Sequence, residues 1–225
     1  MRKLRLITTI AFSALFLPLR TVLAAGPYRV DDGGIVDPKM IQIESWYSHS
    51  NKGDNIGTIN AAYQLLPHTE FTLQESYDAQ TAGDSNILSL QVKYQWCERS
   101  EIRNVSGSAV LGVNYADDEQ FSSLYAYVPV TVTINDIVDV NLNIGWDYPW
   151  EEDRHSLTWG IGAVFHGNGS FSFVGEVFGK NEGHSGLQAG LRAALSKYWL
   201  FDAVYGRNIT GTEGNWLTAG VTAAF

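Results

Sequence analysis

Cysteine is almost missing from this chain: Cys97 is alone among 225 residues. A single cysteine excludes an intrachain disulfide and a cysteine-based metal site. Positive charge is scarce as well, with 15 Lys and Arg against 24 Asp and Glu. A nucleic-acid partner needs clustered positive charge, so none is expected. The five histidines, His49, His68, His155, His166 and His184, never stand at the His-x-x-x-His spacing that would put two ligands on one helical face. No glycine-rich phosphate loop opens a helix either. Neither a metal nor a cofactor is therefore expected. Long apolar runs are absent beyond the N-terminus, so any membrane crossing must be made by strands.

The N-terminus is the exception. Arg2, Lys3 and Arg5 precede an apolar stretch from Leu6 to Leu19, and Val22-Leu23-Ala24-Ala25 offers small residues suited to cleavage. This is the pattern of a secretory signal peptide over residues 1–25, too short and poorly flanked for a spanning helix. The remainder is long enough for one domain. Setting aside Arg2, Lys3, Arg5 and Arg20 leaves 11 of the 15 basic residues against 24 acidic ones, a charge near −13.

What fills the rest is alternation. From Phe225 backwards, Ala223, Val221, Ala219 and Leu217 share one face, and Ala224, Thr222, Gly220, Thr218 and Trp216 share the other. Period two means a strand with one apolar face. Twelve such runs follow one another, at about 39–50, 55–66, 69–79, 86–97, 105–116, 121–134, 137–148, 156–166, 170–180, 185–196, 198–208 and 215–225. About ten residues is what a tilted strand needs to cross a bilayer. Breaks after odd runs are acidic or polar, as in Asn51-Lys52-Gly53-Asp54, whereas most after even runs are tight, as in Pro67-His68. An even strand count with short turns at one end is the pattern of a transmembrane antiparallel up-and-down β-barrel. The long break Glu98–Asn104 leaves ten strands as the alternative count. A soluble sandwich or lipocalin-like barrel also alternates, but turns its apolar face inward. Aromatic residues near both strand ends (Trp96, Tyr198 and Trp199 at one, Tyr47, Tyr77, Tyr115, Trp146, Tyr148, Trp150 and Tyr205 at the other) favour two membrane interfaces.

A final alternating strand closed by Phe225 is similar to the closing strand of bacterial outer-membrane barrels, whose terminal aromatic serves as an assembly signal. The succession Asn141-Leu142-Asn143-Ile144-Gly145-Trp146, Leu157-Thr158-Trp159-Gly160-Ile161-Gly162, Val174-Gly175-Glu176-Val177-Phe178-Gly179, Gln188-Ala189-Gly190-Leu191-Arg192, Asp202-Ala203-Val204-Tyr205-Gly206-Arg207 and Trp216-Leu217-Thr218-Ala219-Gly220-Val221 resembles an outer-membrane β-barrel family. That family is often labelled a putative meta-pathway phenol-degradation protein. Val30-Asp31-Asp32-Gly33 resembles the Asp-Asp motif near the start of its mature members. The resemblance implies an envelope barrel, a passive route for small organic molecules, and no catalytic residues.

The candidate functional residues are charges that alternation turns to the lumen: Glu44, Lys93, Asp139, Asp147, Glu176, Arg192 and Asp202. On a lipid-facing midplane such a charge would cost about 2–4 kcal/mol for Arg or Lys. In the lumen these residues form either a bracing ion-pair lattice or a selectivity constriction, and excess carboxylates would favour cations or neutral solutes. Residues 26–38, with Pro27, Gly33, Gly34 and Pro38, read as an extended periplasmic or lumen segment ahead of a barrel over 39–225. Whether they close the lumen is left open. Three functions are weighed: a passive channel, a closed barrel for envelope structure or assembly, and a lipid-hydrolysing barrel. The last is disfavoured, because Ser48, His49 and Ser50 are adjacent and neighbours in a strand point to opposite faces. The expected partners are outer-membrane lipids and lipopolysaccharide, the barrel-assembly machinery, and a small hydrophobic or aromatic solute.

Overall fold

The computed structural model describes residues 26–79, 85–100, 102–117, 119–150, 154–167, 169–181, 183–211 and 214–225. Residues 1–25, which the sequence reads as a signal peptide, and several loop residues, including Thr81 to Asp84 and Glu151 to Asp153, lie outside the described residues. Twelve antiparallel strands form a closed barrel in which each strand pairs with its sequence neighbours and β1 pairs with β12. They are β1 Ile41–Ser50, β2 Asn55–Leu66, β3 Thr69–Ala79, β4 Ser85–Cys97, β5 Val105–Ala116, β6 Glu119–Asn135, β7 Val138–Pro149, β8 Ser156–His166, β9 Phe171–Lys180, β10 Ser185–Ala194, β11 Trp199–Thr210 and β12 Asn215–Ala224. Closure leaves no open edge, which is what makes a sheet tolerable in lipid.

The count is twelve, not ten. The Glu98–Asn104 break remains a turn pinned by the Ser100–Arg103 bridge, and β4 and β5 on either side pair directly. The other inner turns follow from their residues. Pro67 and His68 join β2 to β3, and His68 takes φ 58°. Pro followed by a positive-φ residue is the signature of a type II turn. Between β6 and β7 the Asn135 side chain accepts the Ile137 and Val138 N–H groups, both at 2.9 Å. At the seam, Ile41 and Phe225 exchange both backbone hydrogen bonds, at 2.8 and 3.1 Å. The terminal residue is thus tied into the barrel while its ring stays exposed.

The two faces have opposite character. Large apolar side chains are exposed all round the outer wall, among them Leu90, Leu111, Ile144, Ile161, Phe173, Phe201 and Leu217. Polar groups such as Gln42, Thr58, Ser89, Lys93, Asn141, Glu176, Gln188, Asp202 and Thr218 are buried inside. This is the reverse of a soluble barrel and sets the sign of the alternation: lipid outside, polar lumen within. Glu75 breaks the outer pattern near the outer end of β3, where Asn86 donates to it at 3.0 Å. Tyr47, Tyr77, Trp150 and Tyr205 are exposed at that end, and Trp96, Tyr198 and Trp199 at the other. Ile144, at the middle of β7, is 67 % exposed. An Ile144→Arg change is expected to cost about 2–4 kcal/mol in refolding titrations into bilayers. A cost near zero would place this wall in water.

Candidate functional site

The lumen is built around residues 26–38, which run along the inner wall from strand to strand. As the residue number rises, the strand number falls. Pro27 lies against Gly220 of β12, and Gln188 of β10 donates to its carbonyl at 3.4 Å. The Arg192 guanidinium of β10 stands 5.0 Å above the Tyr28 ring. The Arg29 backbone N–H donates to Glu176 of β9 at 2.9 Å. Val30 packs on Gly160 and Gly162 of β8. Asn143 of β7 donates to the Asp31 carbonyl at 3.2 Å, while the Asp31 carboxylate takes Tyr127 of β6 at 3.1 Å and Lys93 of β4 at 2.9 Å. The Gly33 N–H donates to Thr131 of β6 at 2.8 Å, and its carbonyl accepts from Ser108 of β5 at 2.9 Å. Finally the Val36 N–H donates to Glu70 of β3 at 2.7 Å. The segment therefore encircles the lumen before it enters β1.

This route explains two local sequence choices. A segment without strand partners must satisfy its backbone with side chains. The inward polar residues Glu70, Ser108, Thr131, Asn143 and Glu176 do so. The contact is also close. A Cβ at Gly33 would overlap the Ser106 carbonyl, and one at Gly160 would sit 2.8 Å from Val30. Glycine at these positions lets the segment and the wall approach.

The central charges fall into four groups. Arg192 and Asp202 are register partners, joined at 2.9 Å from Nε to Oδ1 beside Tyr28. Lys93 pairs with Asp31 rather than with a wall carboxylate, although Glu70 is its register partner. Glu176 is held by the segment and by Gln188 at 2.7 Å. Glu44 is bound by Gln42 at 3.2 Å and Asn60 at 3.1 Å. Asp139 and Asp147 stand apart from these. Asp139 meets His166 at 2.9 Å, and Asp147 meets Lys180 at 2.8 Å, toward opposite ends of the barrel. Five of the seven charges read from the sequence thus gather around the segment, and two lie toward the ends of the barrel.

The sequence reading missed Tyr28, Asp31, Glu70, Tyr125, Tyr127, Thr131 and Gln188. Each of Glu70, Tyr125, Tyr127, Thr131 and Gln188 falls on the inward face of its strand's period of two. What the period lacked was the partner, because the segment reaches across the barrel rather than along a strand. His49 bonds to Asn55 at 2.9 Å on one face, while Ser48 contacts Thr218 at 2.5 Å on the other. They form no nucleophile–base pair. His49, His155 and His184 lie apart at the outer rim: His155 stacks on Tyr148 with ring centroids 4.8 Å apart, and His184 lies beside Gly211.

The segment separates two cavities. One, of about 820 Å³, opens toward the inner end and is lined by Val36, Arg99, Thr133, Asp139, His166 and Ala194 among others. The other, of about 380 Å³, lies on the far side and is lined by Trp46, Gln74, Gln91, Tyr125, Tyr127 and Thr158 among others. Trp46 and the two tyrosines give that second space aromatic walls. The tyrosine rings stack at 6.3 Å and 19°.

Known structures share this architecture. A KdgM porin in complex with disordered oligogalacturonate is 12 % identical with a TM-score of 0.69, covering 82 % of this chain and 99 % of its own. A NanC porin is 8 % identical with a TM-score of 0.65, covering 80 % and 98 %. The outer-membrane protein Omp33 of Acinetobacter baumannii is 9 % identical with a TM-score of 0.53, covering 83 % and 98 %. At such identities the likeness is one of fold. Comparison with curated proteins finds no match. The phenol-degradation label that the C-terminal run resembles is not shown by these comparisons. A family model described as "Uncharacterised conserved protein UCP029691" matches residues 13–225, and the chain belongs to that family.

Proposed function

We propose that this protein is a passive outer-membrane channel for small neutral or cationic solutes, constricted by its own N-terminal segment. The observation that carries the reading is the segment's course between two cavities inside a closed, polar-lined barrel. A barrel serving only to brace the envelope would need a filled interior, as the smallest barrels have. Here space remains on both sides of a single strip of chain. Carboxylates outnumber cations along it: Asp31, Glu44, Glu70, Glu176 and Asp202 against Lys93 and Arg192, with Arg29 on the segment. Such a ring favours cations and penalises anions. The oligogalacturonate named for the KdgM structure is a polyanion and is not the cargo proposed here.

An aromatic solute is the finer reading. Trp46, Tyr125 and Tyr127 offer ring faces to it, with Gln74 and Gln91 beside them as polar handles. Lipid and lipopolysaccharide would meet the outer wall and its aromatic girdles, and the assembly machinery would meet Phe225. Conductance in planar bilayers under a salt gradient tests the proposal. The expected reversal potential shows cation preference, and phenol added to one side lowers the current. Anion preference would overturn the carboxylate argument. Silence from both the intact chain and one lacking residues 27–36 would overturn the channel.

A further inference from the structure

Glu44, like Glu70 and Glu176, is a buried lumen carboxylate outside the ion pairs of the described residues. It is 3 % exposed. Its side-chain partners are the neutral amides of Gln42 and Asn60. Among the described residues the ion pairs go elsewhere: Lys93 to Asp31, Arg192 to Asp202, Lys180 to Asp147, and Arg99 with His166 to Asp139. A buried carboxylate with no cation in contact is expensive, because neutral amides and the Arg192 charge beyond contact distance repay only part of its desolvation. A further donor lies close by. The backbone N–H of Gly26 bonds to Glu44. On the other side of Gly26 lies Asp202, with Oδ2 3.6 Å from where a Cβ would stand.

Gly26 directly follows Val22-Leu23-Ala24-Ala25, the small residues that suit leader cleavage. We infer that processing between Ala25 and Gly26 places a cation in contact with Glu44, so that the mature α-ammonium anchors the segment inside the barrel. A signal peptidase adds water across the Ala25–Gly26 amide. Ala25 departs with the leader as a carboxylate, and the Gly26 nitrogen keeps the electron pair of the broken bond. At neutral pH that amine is largely protonated. The atom that donates one neutral hydrogen bond in the uncleaved chain becomes a charged donor at the same place. Charge-assisted bonds are roughly twice as strong as neutral ones. Seating of the segment is thereby coupled to maturation: an uncleaved precursor has no charge to give Glu44.

This inference does not depend on the barrel conducting. Its test is chemical. Protein purified from the envelope should have the mass of a chain beginning at Gly26. Amine acylation at about pH 7 favours an α-amine over lysine, whose ordinary pKa is far higher. In the folded barrel the Gly26 amine should react at least tenfold more slowly than in the denatured chain. Glu44→Gln should remove most of that protection while the heat-modifiable gel shift persists. If Glu44→Gln does not fold, Glu44→Asp keeps the charge on a shorter arm and should give partial protection. A mature chain starting at any other residue overturns the inference. So does equal labelling of folded and denatured wild-type chains, or full protection in Glu44→Gln.

Discussion

A chain lacking residues 27–36 is expected to conduct severalfold more current than the intact protein, with its gel shift unchanged. The deletion removes the strip between cavities of about 820 and 380 Å³ and makes them one space. The intact segment is held by a series of wall contacts: Glu176 to Arg29, Lys93 to Asp31, Thr131 and Ser108 to Gly33, and Glu70 to Val36. Contacts of this kind contribute about 0.5–1.5 kcal/mol each when neutral and 1.5–3 when charged. Several in series make spontaneous release rare, since 1.4 kcal/mol is a factor of ten. The barrel should survive the deletion because its twelve ladders and its lipid-facing wall do not involve the segment. Glu70, Lys93 and Glu176 would lose partners but gain water. Single-channel recording checks the conductance, and migration before and after heating checks the fold. Unchanged conductance would show that the segment is not the constriction.

Lys93→Met is expected to destabilise the closed lumen by about 3–5 kcal/mol, the usual cost of breaking a buried ion pair from one side. The Lys93 and Asp31 side chains are only 6 % and 14 % exposed. Without the ammonium, Asp31 keeps only the Tyr127 hydroxyl, at 3.1 Å, as a side-chain donor to its carboxylate. Glu70, opposite position 93 in the register, adds a second unneutralised charge. The strain is relieved by letting the segment go, so the variant should resemble the deletion: higher conductance and a barrel that still shifts on heating. Asp31→Asn removes the charge left behind. In the double variant the coupling should return most of the loss, because the two residues act as one unit. Single-channel open probability across the four chains measures it. Additive effects would mean that the pair does not hold the segment.

The barrel was legible because its information is local and repeated. Each run carries its own period of two, as Leu88, Leu90, Val92, Tyr94 and Trp96 do against Ser89, Gln91, Lys93 and Gln95, and neighbouring runs supply the pairing partner. The tight turns Pro67-His68 and Asn135-Asp136 announce themselves by chemistry. The Arg192–Asp202 pair could be read by counting back from the turn at Lys197, since hairpin register is fixed by the turn. Lys93 and Asp31 could not be paired that way. They are 62 positions apart, and one belongs to a segment with no strand period. Residues 26–38 carry glycine, proline and carboxylates, a composition that suits a linker, a tail or a plug equally.

Sequence alone therefore determined the wall: strand number to within one pair, which side chains share a face, the gathering of charge on one of the two faces, and the closing strand. Alternation encodes these because successive side chains must point to opposite faces. It could not say which face met lipid, since an inverted barrel has the same period. Only the closed structure, with its apolar side chains outside, decided that. Only the structure placed the N-terminal segment around the lumen as well. That placement depends on glycines thin enough to let two backbones meet, and on carboxylates brought together from β1, β3, β9 and β11. Proximity of that kind exists only after the barrel has closed.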